Sequence, residues 1–254
     1  MKKLLSVLTL LAISVPAIAE DQFSLGTGFD YSSGKYGNAV STDILYIPVT
    51  GKYESDNLTL KLTVPYISIT GPGGVIRGMG RIHGTVATTT TATTKTNSGL
   101  GDITTSAGYN VYSGNSLALD LVGNIKFGTA DANKGLGTGK NDYSAQVDAY
   151  YKLDRTTLFA TAGYKKYGAP AGVTLNNAPY GTIGFSQKLS DKTSAGAMLD
   201  MAKSPITNGA AQREATIFVS QKMSANIKVQ ANLLKGFANG SPDFGGGVMV
   251  TGTF

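Results

Sequence analysis

From Leu117 to Phe127 the chain alternates strictly, with Leu117, Leu119, Leu121, Gly123, Ile125 and Phe127 on one face and Ala118, Asp120, Val122, Asn124 and Lys126 on the other. A period of two residues belongs to a strand with unlike faces, whereas an amphipathic helix needs apolar positions every 3.6 residues. Tyr143 to Leu153 repeats the pattern, with Tyr143, Ala145, Val147, Ala149 and Tyr151 opposed to Ser144, Gln146, Asp148, Tyr150 and Lys152. So does the segment in which Ile227, Val229, Ala231 and Leu233 oppose Lys228, Gln230, Asn232 and Leu234. Read along the chain, the pattern predicts twelve strands, near 22–31, 41–53, 58–69, 99–112, 116–128, 141–153, 156–167, 179–189, 193–203, 211–223, 226–236 and 243–254.

Alternation alone suits a soluble sandwich with one wet face equally well, so the connections decide. Those after even-numbered strands are tight and polar: Glu54-Ser55-Asp56-Asn57, Ser113-Gly114-Asn115, Asp154-Arg155, Ser190-Asp191-Lys192 and Ser224-Ala225. Those after odd-numbered strands, 32–40, 70–98, 129–140, 168–178, 204–210 and 237–242, are longer and rich in Gly, Pro and Asn. Short turns at one end and long loops at the other are the habit of bacterial outer-membrane barrels, with the turns periplasmic and the loops extracellular. A Greek-key sandwich does not sort its connections in this way. Lys152-Leu153-Asp154, Lys188-Leu189-Ser190 and Lys222-Met223-Ser224 recur after 36 and then 34 residues, each just before a tight turn, which marks a hairpin repeat. The expected fold is therefore all-β, a closed antiparallel transmembrane barrel of about twelve strands.

Composition sharpens this. The 254 residues include no Cys and no Trp, 33 Gly, 41% hydrophobic and only 15% charged residues. Without Cys there are no disulfides, thiolate metal sites or Cys nucleophiles. The net charge of +6 falls to +4 without Lys2 and Lys3, too mild and too scattered a surplus for nucleic acid. Those two lysines head a secretory leader: a basic start, an apolar stretch from Leu4 to Val15 and a small-x-small site at Ala17-Ile18-Ala19. The apolar stretch is too short to span a bilayer as a helix, so 1–19 is expected to be removed and 20–254 to form the barrel in the outer membrane of a Gram-negative bacterium. The expected partners are the lipid of that membrane, the barrel-assembly machinery during insertion, and a small solute. The last strand, Phe244 to Phe254, puts Phe244, Gly246, Val248, Val250, Gly252 and Phe254 on one face. It resembles the terminal strand by which such barrels are recognised for assembly, with Phe254 as the signal. Interfacial girdles would draw on the 13 Tyr and 9 Phe, for example Tyr53, Tyr109, Tyr143, Tyr151 and Tyr164.

Candidate functional residues lie on the polar face. The alternation directs Asp30, Lys52, Lys61, Asp102, Asp120, Lys126, Asp148, Lys152, Lys165, Lys188, Asp200, Glu214, Lys222 and Lys228 into the lumen. Lys52, Lys152, Lys188 and Lys222 precede tight turns and would form a basic ring at the periplasmic mouth, while Asp120, Asp148 and Asp200 fall further in. Two readings stay open: mutually neutralising charges in a filled interior, or a filter whose carboxylates favour cations or hydrogen-bond hydroxylated solutes. The connection 70–98 is also open between an extended surface loop and a plug; it carries Arg77, Arg81 and His83, then a Thr-rich run.

Val64-Pro65-Tyr66-Ile67, Thr70-Gly71-Pro72-Gly73 and Ser98-Gly99-Leu100-Gly101-Asp102 together resemble the signature of a family of outer-membrane transporters named for the meta-pathway of phenol degradation. The resemblance implies a barrel with a transport role for aromatic or other small hydrophobic molecules. The same residues also suit a purely structural role, Pro65 marking a bulge or kink and Gly99 and Gly101 a bend where the fourth strand begins.

Enzymatic readings find little support. His83 is the single His, so an outer-membrane hydrolase would depend on it, and it sits in the long loop rather than on a strand. Gly135-Leu136-Gly137-Thr138-Gly139-Lys140 has the wrong spacing for a phosphate loop, and Asn141 stands where Ser or Thr is required. Asp131 and Asn133 lack the terminal acid of a calcium loop. No catalytic residue, metal site or cofactor is assigned. The expected function is a passive channel or transporter for small solutes. A non-conducting barrel whose loops bind a partner is the alternative, and a hydrolase using His83 a third.

Overall fold

In the computed structural model the alternating segments pair as antiparallel neighbours, and the structure describes residues 21–78, 80–81 and 93–254. The expected leader and His83 lie outside the described residues. Fifteen strands follow in chain order: β1 (Gln22–Gly34), β2 (Thr42–Ser55), β3 (Leu58–Gly71), β4 (Val75–Ile76), β5 (Gly80–Arg81), β6 (Lys95–Leu100), β7 (Thr104–Ser113), β8 (Leu117–Lys126), β9 (Asp142–Leu153), β10 (Thr156–Lys166), β11 (Ala178–Lys188), β12 (Thr193–Ala202), β13 (Gln212–Lys222), β14 (Ile227–Gly236) and β15 (Phe244–Thr253). A 3-10 turn spans Ala132–Lys134. Each wall strand pairs with its sequence neighbours, β1 pairs with β15, and β3 carries both β6 and β7, so thirteen strands fill twelve positions of one closed ring. The fold is a closed antiparallel β-barrel.

The structure departs from the expected strands in the β4–β5 hairpin, inside the expected 70–98 connection, and at the fourth position. The predicted segment 99–112 is interrupted at 101–103, with β6 and β7 on either side of the break. The Gly101 amide still donates to the Pro65 carbonyl at 2.8 Å, but Ile103 turns its amide to Thr129 Oγ1 at 2.9 Å. Asp102 uses the space so made to bind the loop that follows β8. Its carboxylate accepts the Ala130 amide at 3.0 Å and takes the Lys126 ammonium at 2.7 Å. Of the motif residues, Pro65 is fully buried, and a Cβ on Gly101 would touch its ring at 3.0 Å. The segment that carries the family resemblance is thus a packing node between β3, the strand break and the 127–141 loop.

The tight turns are stabilised locally. Asp56 and Asp154 open two-residue turns at φ of 38° and 46°, a region that short polar side chains tolerate. In the two longer ones Ser190 and Ser224 play the same part: Ser190 Oγ accepts the amides of Lys192 and Thr193, and Ser224 Oγ those of Asn226 and Ile227. This shared turn is the physical content of the Lys-Leu/Met-Ser repeat.

The outer surface of the wall is apolar and open to its surroundings, with Leu25, Val49, Leu62, Val147, Ile183, Ile217 and Leu233 all exposed. Aromatic rings bracket this belt. At the tight-turn end Phe23 and Phe254 lie 6.4 Å apart between ring centres, and Tyr109 on β7 and Tyr151 on β9 are exposed at the same end of the wall. At the loop end Tyr31 and Phe244 form a second 6.4 Å pair, joined by Tyr143 and Tyr164. A single closed sheet has no second layer to cover such a belt; hydrocarbon tails do so without cost to the backbone, whose polar groups are already paired. Among the described residues no helix is long and apolar enough to cross a membrane.

Closure predicts its own test. Removing 244–254 should expose the edges of β1 and β14 and abolish the compact, heat-modifiable species seen when folded barrels are run unboiled on gels; survival of that species would contradict the ring.

Candidate functional site

The sheet register sorts the charged candidates by depth. At the tight-turn end Lys52 faces Lys61 across β2 and β3, and Lys222 faces Lys228 across β13 and β14. Lys152 and Lys188 share the inward parity on β9 and β11. Lys52 is ion-paired to Glu54 at 2.6 Å, and Lys188 to Asp191 at 2.9 Å. That contact holds the exposed Asp191 carboxyl below its ordinary pKa, chiefly through the Lys188 hydrogen bond.

Further along the strands the sign changes. Asp120 stands directly opposite Asp148, and Asp200 directly opposite Glu214. Like charges in register repel, and among the described residues none of these four carboxylates has an ion-pair partner. Neutral donors hold three of them instead. Asn110 Nδ2 donates to Asp120 at 2.7 Å, Thr161 Oγ1 to Asp148 at 2.6 Å and Thr182 Oγ1 to Asp200 at 2.6 Å. Gln146 Nε2 adds a contact at 2.8 Å to each oxygen of Asp148. Hydrogen bonds of this kind fix the carboxylates without cancelling their charge. Of the two readings of the lumen charges, the geometry therefore departs from mutual neutralisation at this level.

Other charges at the loop end are compensated. Lys126 lies between Asp102 at 2.7 Å and Asp142 at 3.5 Å. Asp142 is almost wholly buried and also accepts the Gly168 amide at 3.0 Å, so one cation ties three loop-end segments together. Asp102 thus sits in a largely buried ion pair at the break in the wall, unlike Asp120, Asp148, Asp200 and Glu214. Asp30 meets Arg77, which descends from the loop after β3: the guanidinium lies 3.2 Å from the Asp30 carboxylate and 3.7 Å from the centre of the Tyr46 ring.

Arg77 belongs to the β4–β5 hairpin, which crosses the mouth of the barrel. Val75 is buried with Tyr36, Ile44, Ile67, Ile69, Ala130 and Leu136 on one side. Its neighbour Ile76 packs on the other side against Tyr167 and Ala178, with Val173, Leu175 and Ile206. Successive residues of a strand point opposite ways, so two residues suffice to brace the hairpin against both walls. Burial at these contacts raises the phenols of the loop residues Tyr36 and Tyr167 to about 12, so both stay neutral. Residues 72–78 accordingly form part of a plug; the Thr-rich half of the loop lies outside the described residues.

Beneath the hairpin a cavity of about 420 Å³ runs along β7 to β13. Gly78 roofs it, and Lys61, Gln146, Lys165, Tyr180, Asp200 and Glu214 reach it from the wall. The sequence reading did not single out Tyr180, nor the inward rings of Phe159 and Phe218. Each aromatic lies beside a glycine on the next strand, Tyr180 by Gly163, Phe159 by Gly184 and Phe218 by Gly196, and a Cβ on any of these glycines would strike the ring. The rings are thereby laid along the wall instead of across the bore. An inward Gly paired in register with an inward aromatic is a signal the sequence carries, but it is visible only once the register is known.

No protein-family model matches the chain, and no curated protein matches it in sequence. Solved structures do match in shape. An outer-membrane channel from Pseudomonas putida F1 superposes with a TM-score of 0.71 at 12% identity, covering 94% of this chain and 97% of that one. The KdgM porin in complex with disordered oligogalacturonate gives 0.55 at 11% identity, over 91% and 99%. The NanC porin gives 0.53 at 9%, over 90% and 98%. At these identities the likeness is one of fold, and the fold is that of outer-membrane barrels.

Replacing Lys126 by Met should leave Asp102 and Asp142 facing each other without a cation and cost about 3–5 kcal/mol. A lowered midpoint of thermal unfolding in detergent, partly restored by adding Asp142→Asn, would show that the cation ties the loop end together; unchanged stability would refute it.

Proposed function

We propose that the chain is a passive channel of a Gram-negative outer membrane, exported by its 1–19 leader and inserted through the strand ending in Phe254, and that it passes small solutes through the polar lumen. The observation that carries this reading is the set of four uncompensated carboxylates on the inward face of a closed barrel. In a filled, non-conducting interior such groups would be desolvated and strongly unfavourable unless paired, whereas a wet bore keeps them hydrated. Twelve strands lie between the eight that side chains can fill and the sixteen that leave a wide pore. With the β4–β5 hairpin across the mouth, the path suits small molecules only. The family resemblance adds aromatic or other small hydrophobic solutes as a class, and the flat rings of Tyr180, Phe159 and Phe218 offer such molecules apolar contact beside the acids. The outer-membrane channel from P. putida and the KdgM and NanC porins share the architecture that such a function needs.

Reconstituted in a planar bilayer, the purified protein should conduct with a preference for cations, and Asp148→Asn or Asp120→Asn should reduce that preference by about twofold or more. A silent membrane at high protein load would reject the channel and favour the partner-binding barrel. Removing 72–96 should raise single-channel conductance if the hairpin constricts the bore; in a filled barrel the deletion leaves conductance at zero. Hydrolysis lost on His83→Ala would instead point to the third reading.

A further inference from the structure

The outer wall between β10 and β15 carries a second pattern, unrelated to the lumen. Lys166, Lys203, Arg213 and Lys235 are exposed at the loop end. The register gives them outward parity: Lys166 pairs with the outward Tyr143, Lys203 donates its amide to Pro179 beside Tyr164, Arg213 pairs with Met201, and Lys235 with Phe244. None of the four has a carboxylate partner among the described residues. The acids of the same strands, Asp200 and Glu214, have the opposite parity. Asp243 is engaged elsewhere, accepting the Lys35 amide at 3.2 Å. Arg213 is held in place through its main chain, whose amide donates to Ser241 Oγ at 2.9 Å and whose carbonyl accepts the Phe237 amide at 2.8 Å.

Directly along β13 and β14 from these cations the outer wall is indented. A groove of about 510 Å³ is lined by Phe29, Ile217, Val219, Leu233, Ala231 and Val248, and its surface is almost entirely apolar. Ile217 pairs with Leu233, the next outward rung pairs Ala215 with Lys235, and Arg213 stands one rung beyond. From Arg213 to Val219 the strand runs about 20 Å, so groove and cations form one continuous track from the apolar belt to the aromatic rim.

We propose that this track is a binding site for a membrane lipid with a net-anionic phosphate headgroup, its acyl chain in the groove and its phosphate at Arg213 and Lys235. The inference rests on the outer-membrane reading, which places the loop end at a headgroup layer. In a zwitterionic headgroup the phosphate is offset by its own ammonium, whereas a net-anionic phosphate headgroup pairs with four uncompensated cations in a region of low dielectric. Phe244 and Tyr31, packed together beside Lys235, supply the aromatic surface usual at that depth.

The probe is phosphatidylglycerol against phosphatidylcholine of matched chains, retained by the detergent-purified barrel and counted by native mass spectrometry. The wild-type protein should retain the anionic lipid preferentially, and the double variant Arg213→Ser/Lys235→Ser should lose roughly 30-fold of that preference. The charge-matched variant Lys35→Ser/Lys134→Ser should keep it. Ala231→Phe, which fills the groove, should weaken retention of long-chain phosphatidylglycerol and spare the dihexanoyl form. No preference in the wild type, or equal loss in both double variants, would overturn the site; an inert Ala231→Phe would overturn the groove as its acyl-chain half. A protein that yields no heat-modifiable barrel and enters no bilayer, zwitterionic or anionic, would instead defeat the outer-membrane reading on which the proposal stands.

Discussion

A backbone amide or carbonyl that loses water must find another partner, and inside hydrocarbon there is no water to lose it to. That single requirement organises this molecule. It is met by pairing β1 with β15, which turns twelve strand positions into a ring without edges. Once the ring closes, every other feature follows from having two faces and nothing between them: a belt of exposed Leu, Val, Ile and aromatic residues outside, and a wall of Lys, Asp, Thr, Gln and flattened rings inside. Conventional core packing is confined to the loop end, where the β4–β5 hairpin and the loops after β8 and β10 bury two small clusters.

The two ends of the barrel solve different problems. At the tight turns the chain needs only local hydrogen bonds, and the Ser190 and Ser224 side chains supply them within four residues. At the loop end long segments must be anchored against one another. Here ion pairs appear: a largely buried one of Lys126 with Asp102 and Asp142, and a half-exposed one of Arg77 with Asp30, stacked on the face of Tyr46. A buried pair gives little net stability but penalises every arrangement that separates it, which suits loops that must find one position over an opening. Away from these ion pairs the carboxylates of Asp120, Asp148 and Asp200 are oriented by neutral donors, and Glu214 stands opposite Asp200.

Much of the fold was legible in the chain because a strand with lipid on one side and water on the other must alternate, and because hairpin turns at one end are short. Eleven of the twelve predicted segments correspond to one continuous strand each. The twelfth, 99–112, breaks at Asp102 because a carboxylate that serves a loop about thirty residues further on has no local signature. The parity of the charged residues along each strand was legible from the alternation alone. What they do was not: Lys126 and Asp148 look alike in an alternating pattern, yet one is locked in a buried triad and the other stands opposite a second acid. Whether the 70–98 connection forms a plug or an extended surface loop stayed open for the same reason, since Val75 and Ile76 are two apolar residues in a glycine-rich loop until walls appear on both sides.

The sequence by itself determined which residues face lipid and which face the bore, because that choice is made every second residue by the solvent on each side and needs no knowledge of partners. Only the tertiary structure decided the register. Register sets which acids oppose each other, which glycine receives which ring, and where the outward cations line up above the groove. These are relations between strands that can be more than a hundred residues apart along the ring's seam, and a one-step slip in pairing would change all of them.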